Sequence, residues 1–255
     1  MNWFAPKCPV NEEERLWIED AMRWLIEEFG VETIRQSVVV LPTEEFFPDF
    51  YAGREEDVQS LLNRVCSYMD VDPACLKLKF YAEKKRELSH TRLLAQEFSQ
   101  NEPLGFFENG KRKFTIGIGT WQLNDPMCLV ATIAHELGHV ILLGENRVSP
   151  DEEDHESLTD LLTVFLGLGI FSANASFSFV QWTDTFSQGW KTETRGYLTE
   201  EIFGYALALF AFIRDEKNPS WRKYLTTNIE SYFKNSLKYI EANQKSLLPE
   251  LVSLL

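Results

Sequence analysis

Apolar positions first recur at helical spacing between residues 11 and 30. Asn11 precedes Glu12, Glu13 and Glu14, an N-cap with acid in the first turn. Leu16, Trp17, Met22, Trp24, Leu25 and Phe29 follow near helical spacing, and Gly30 can end the helix. The β-branched run Ser37–Leu41, stopped by Pro42, predicts a strand. A second helix is predicted from about Glu55 to Met69, with Val58, Leu61, Leu62, Val65 and Tyr68 on one stripe. Leu76–Tyr81 opens with apolar/polar alternation, a half-exposed strand, and Phe114–Gly119 reads as a third strand near a sheet edge, given its glycines. Between them, Ser89–Gly110 is polar and poorly patterned and reads as irregular. Phe46–Phe50 reads as the buried anchor of a loop.

The second half is patterned for helices. Asn124-Asp125-Pro126 is an N-cap with proline just inside, so a helix should run through Leu129, Ile133, Leu137 and Val140 to about Leu143, with Gly144 as a left-handed stop. Ser149–Glu153 predicts the next helix start, leading through Leu158 to Ile170, and Gly167 and Gly169 inside it allow close packing or a bend. Thr199-Glu200-Glu201 opens a helix reaching Arg214, and a last amphipathic helix is expected from about Trp221. Strands gather early and helices late, which predicts an α+β fold with a small mixed or antiparallel sheet beside an active-site helix and a helical lobe. The 255 residues suit a single domain, 1–255, with possible lobes 1–112 and 113–255.

Charge narrows the function classes. The chain carries 39 acidic against 25 basic residues, a formal net charge of −14. That balance repels phosphate backbones and anionic lipid, so nucleic acid and membrane are not expected partners. Cys8, Cys66, Cys75 and Cys128 are widely spaced with no CxxC pair, which excludes a zinc knuckle and a dithiol redox motif. The N-terminal residues show no basic-then-apolar signal pattern, and the longest apolar stretch, Leu161 to Phe171, is far short of the ~20 residues a bilayer needs. The expected location is therefore cytoplasmic, and the sequon Asn174-Ala175-Ser176 reads as coincidence.

One short motif carries chemistry. His135-Glu136-Leu137-Gly138-His139 is an HExxH sequence on a predicted helix. Residues four apart share a helix face, so both imidazoles can reach one ion, and zinc accepts neutral imidazole nitrogen in tetrahedral geometry. Glu136 projects close to the ion without ligating it and can relay a proton from an activated water to a leaving amine. Only four histidines occur in the chain. Composition alone therefore yields roughly one such match per couple of hundred similar chains, which favours a site over chance.

A third ligand must come from elsewhere. The acidic run Asp151–Glu156 precedes a helix that is apolar almost all round from Leu161 onward and should be buried. Glu156 and Asp160 share one face of it, and a buried aspartate requires a partner such as a ligating imidazole. Glu156, His155, Asp154 and Glu153 are all candidates for the third position, and the run is also simple N-terminal acid favoured by a helix dipole.

HExxH followed, seventeen residues after His139, by a Glu-x-x-x-Asp helix resembles the gluzincin metallopeptidases, the thermolysin-like zincins. The likeness covers about residues 113–172. It implies a zincin-like fold, one Zn2+ per chain, His135, His139 and Glu156 as ligands, Glu136 as catalytic base and acid, and Asp160 hydrogen-bonded to His135. It also implies a sheet edge strand at Phe114–Ile118 that binds the backbone of a peptide or protein substrate. The loop Glu145–Pro150 is short, and no metzincin-type third histidine follows His139.

The expected function is therefore a zinc-dependent peptidase, a hydrolase. The alternative is a non-catalytic zinc-binding or regulatory protein that retains the same site, and a metal-free relative that keeps the helix for packing is a third reading. Candidates for stabilising the oxyanion are Tyr197, Tyr205, Arg195 and His90, each also explicable as a packing or surface group. The aromatic stretch Phe171–Trp190, with Phe177, Phe179, Trp182 and Phe186, reads first as core and second as a cleft lining.

Overall fold

The computed structural model describes residues 6–81, 106–108, 111–183, 198–247 and 249–255. The first helix, α1 (Glu12–Phe29), is fixed by a reciprocal cap. The Asn11 side chain accepts from the Glu14 N–H at 2.9 Å, and the Glu14 carboxylate accepts from the Asn11 N–H at 3.0 Å. Gly30, at φ 87°, ends it and turns the chain into α2 (Val31–Gln36). The helix α3 (Glu55–Met69) starts where the Asp57 carboxylate accepts from the N–H groups of Ala52 and Arg54. It ends at Asp70 in the left-handed region. Both helices have the bounds expected from their patterning.

Three strands make a small sheet in the order β1-β3-β2: β1 (Leu76–Tyr81), β2 (Phe106–Glu108) and β3 (Lys111–Gly119). The sheet is mixed. β1 runs parallel to β3 with Leu76 opposite Phe114 and Tyr81 opposite Gly119, and the short β2 is antiparallel to residues 111–113. A purely antiparallel sheet is thus corrected: residues 82–110 separate β1 from β3, long enough for the crossover that a parallel pair requires. β2 falls inside the stretch expected to be irregular, and β3 begins three residues before the expected Phe114. Among the described residues, β3 from Phe114 to Gly119 has a strand on one side only. The position where two lobes could divide, 112/113, lies within β3.

Helices complete the α+β architecture: α4 (Pro126–Leu142), α5 (His155–Phe165), α6 (Gly169–Thr183), α7 (Glu200–Ile213), α8 (Thr227–Ala242) and α9 (Pro249–Ser253). The central one is α4, buried along Leu129, Ile133, Ala134, Leu137 and Ile141 and packed against α3, α5 and α6. The Asp125 carboxylate accepts from the Cys128 N–H at 3.0 Å, and Pro126 sits where its missing N–H is harmless. α1 packs on α5 and α7, and one contiguous apolar core runs from Val10 to Leu251. No described helix is long and apolar enough to cross a membrane.

Several expectations are corrected. Ser37–Leu41 is not a strand; it crosses the break between α5 and α6, where the Val40 N–H donates to the Gly167 carbonyl and no strand lies alongside among the described residues. That break divides the single helix expected through Ile170. Gly167 has φ 87°, and a β-carbon there would lie 2.3 Å from the Val38 carbonyl oxygen. α5 starts at His155, not near Ser149, because residues 149–154 form turns in which the Ser149 carbonyl accepts from the Glu152 N–H. The left-handed residue after α4 is Asn146 (φ 59°), not Gly144; a β-carbon on Gly144 would meet the Phe114 ring at 2.8 Å, so this glycine lets β3 approach the end of α4. α8 begins after a 3-10 turn at Ser220–Tyr224 that contains Trp221. Phe46 and Phe47 pack on Tyr68, but Phe50 is 82% exposed, so the loop is only partly anchored.

Candidate metal centre

His135 and His139 project from one face of α4, and Glu156 stands opposite them in the first turn of α5. His135 Nε2 lies 3.1 Å from Glu156 Oε2, and His139 Nε2 lies 3.4 Å from the same oxygen. These three residues form a group whose donor atoms all lie within 4.8 Å of one another, able to hold a metal ion. Two ligand atoms bound at 2.0–2.1 Å to a tetrahedral ion stand about 3.3–3.4 Å apart, so the observed spacings suit one.

The other ring nitrogens decide which tautomers face the centre. His135 Nδ1 is 2.8 Å from Asp160 Oδ1, and a carboxylate can only accept, so Nδ1 carries a proton. The buried Asp160 uses its second oxygen to accept from the Leu198 N–H at 3.2 Å. His139 Nδ1 is 3.3 Å from Thr159 Oγ1, and that hydroxyl donates its own proton to the His155 carbonyl at 2.7 Å. In the neutral rings, both Nε2 atoms then direct lone pairs toward Glu156, as ligation of a cation requires. Lone pairs converging on a carboxylate oxygen repel unless a proton or a cation lies among them, and this donor set fits a bound metal.

Glu156 titrates far below an ordinary carboxylate. Burial alone would raise it, but ring N–H groups of His135, His139 and His155, when protonated, donate to the carboxylate and favour its charged form. Its side chain keeps 28% exposure, so the cluster opens toward solvent on that side.

The alternative third ligands are placed elsewhere. His155 donates from Nδ1 to the Glu152 carbonyl at 2.7 Å, and its Nε2 lies 3.5 Å from Glu156 Oε1, on the carboxylate's far oxygen. It stands outside the group of three. Asp154 accepts from the Trp17 indole at 2.9 Å, which ties α1 to the approach of α5. Glu153 is exposed. Glu136, half-buried and beside His135, makes no hydrogen bond or ion pair among the described residues.

Tyr205 is withdrawn from the oxyanion candidates. Its buried hydroxyl donates to Glu19 Oε1 at 2.6 Å, and Glu19 is also bound by the Arg15 guanidinium at 2.9 and 3.0 Å. Burial, then the hydrogen bond to Glu19, pushes the Tyr205 phenol well above its usual value. His90, Arg195 and Tyr197 lie outside the described residues, as do Phe186, Trp190 and the side chains of Phe177, Phe179 and Trp182.

Two contributors escaped the motif reading. Thr159 touches His139, and Gly138 lets it do so: a β-carbon on Gly138 would lie 2.7 Å from Thr159 Cγ2. The available signal was a glycine inside HExxH together with a hydroxyl residue on the facing helix, one turn after Glu156. Comparison of the chain with protein-family models, with curated proteins and with solved structures gave no match.

Proposed function

We infer that the protein is a zinc-dependent hydrolase that cleaves amide bonds, a peptidase acting on a peptide or protein substrate. The reading rests above all on the convergence of His135 Nε2 and His139 Nε2 on Glu156 Oε2, at 3.1 and 3.4 Å. The carboxylate of Glu136 on the same helix, which has no hydrogen-bond or ion-pair partner among the described residues, supports a catalytic reading over a purely structural one. His135, His139 and Glu156 would hold the ion, and three protein ligands leave a position for water, as catalytic sites require. When bound, zinc supplies Lewis acidity and lowers the pKa of a water from 15.7 to about 7.

The chain's own groups then have distinct tasks. Glu136 accepts the proton of the attacking water and returns it to the departing amine, a task suited to a carboxylate beside the ligating His135. Asp160 and Thr159 hold the two imidazoles in the ligating tautomer. Glu136→Gln tests the assignment: turnover of a peptide library should vanish while zinc stays bound, and full activity in that variant would contradict it.

A further inference from the structure

The geometry points to Thr159 as a positioning residue that selects the metal-ligating tautomer of His139, an inference that rests on the zinc reading above. A threonine hydroxyl has one proton. Here it goes to the His155 carbonyl at 2.7 Å, so toward His139 Nδ1, 3.3 Å away, the oxygen can only accept. Nδ1 must then carry a proton, so in the neutral ring Nε2 is the lone pair facing Glu156. An isolated neutral imidazole favours the proton on Nε2, so the protein holds His139 against its intrinsic preference.

The side chain is specified at both of its branches. Its methyl lies where any β-carbon on Gly138 would stand, 2.7 Å away, which seats the threonine against the backbone of α4 one residue before His139. β-branching leaves χ1 little freedom, so the seated methyl also aims the hydroxyl. The residue is buried, and no water is needed to relay the contact. Asp160 does the corresponding work for His135, so α5 carries the third ligand and both orienting groups at positions 156, 159 and 160.

The two branches can be separated by Thr159→Val, which retains the methyl and removes the acceptor, and Thr159→Ser, which retains the hydroxyl. Zinc affinity of the full chain would be measured by chelator competition with zinc alone as the probe. Ring-nitrogen shifts of His139 in the metal-free chain would report its tautomer. The valine variant should bind zinc about tenfold more weakly and move His139 toward the Nε2–H tautomer. The serine variant keeps the acceptor but loses the methyl that aims it, so it should lose less affinity than the valine variant and keep the Nδ1–H tautomer. Equal affinity and an unchanged tautomer in Thr159→Val would overturn this proposal alone. An unaltered chain that takes up no zinc would overturn it together with the zinc reading.

Discussion

Gly138 and Thr159 meet across the α4–α5 interface so closely that a β-carbon on the glycine would stand 2.7 Å from the threonine methyl. Real β-carbons essentially never approach that near, and threonine has little rotameric freedom to withdraw. The glycine in the HExxH motif therefore sets the distance between the helix bearing two imidazoles and the helix bearing Glu156. Gly138→Ala should gain ~1 kcal/mol of helix propensity and lose about 1–3 kcal/mol to overpacking. Its zinc affinity should fall. Adding Thr159→Ser removes the offending methyl, so the double variant should recover stability relative to Gly138→Ala. Denaturant unfolding of the four chains measures that coupling, and additive effects would contradict it.

Asp160 links the metal helix to the start of α7, accepting from His135 Nδ1 and from the Leu198 N–H. Asp160→Asn can keep one of these acceptor contacts but not both, because its amide nitrogen would oppose a donor. Zinc affinity should drop ten- to a hundredfold, about the effect of losing such an orienting partner. Calorimetric titration of zinc into the metal-free variant checks this.

Glu19, fully buried, accepts from the Arg15 guanidinium and the Tyr205 hydroxyl. Glu19→Ala would leave a largely buried guanidinium without this partner and should destabilise the fold by about 3–5 kcal/mol. Tyr205→Phe should cost less, about 1.5–3 kcal/mol, the worth of a hydrogen bond to a charged group. Chains of Tyr205→Phe that remain folded should bind zinc like the original. A selective loss of activity in Tyr205→Phe, without loss of stability, would return Tyr205 to the catalytic candidates.

The start of α3 gives a pH dependence. The Arg54 guanidinium, with the Ala52 N–H, holds the Asp57 carboxyl at about 2, below its ordinary 3.8. A depressed carboxyl stabilises the fold fully above its unfolded pKa, and that contribution fades as pH falls through the folded value. The advantage of the unaltered chain over Asp57→Asn should hold at pH 6, shrink below about pH 4 and vanish near pH 2. Denaturant midpoints across that range would show it, and a constant difference would contradict it.

How much of this was legible in the sequence follows from how local each signal is. Caps at Asn11, Asp125 and Thr199 act within three residues, so the starts of α1, α4 and α7 could be placed from the chain alone. The spacing of His135, His139, Glu156 and Asp160 needs only helical periodicity. Ser37–Leu41 misled because β-branched residues suit any extended segment, and only a neighbouring strand makes one a sheet member. The direction of β3 depended on the crossover through residues 82–110, and the break at Gly167 on the carbonyl of Val38 pressing against it. Thr159 was hidden for the same reason: its role exists only where two helices meet.

Metal content is the most direct test of the central claim. Elemental analysis of the purified, zinc-replete protein should find one zinc per chain, and His139→Ala, which removes one of the converging nitrogens, should lose it. No metal in the unaltered chain, or undiminished zinc in the variant, would contradict the centre built from His135, His139 and Glu156; stoichiometric iron in place of zinc would contradict the assignment of the ion.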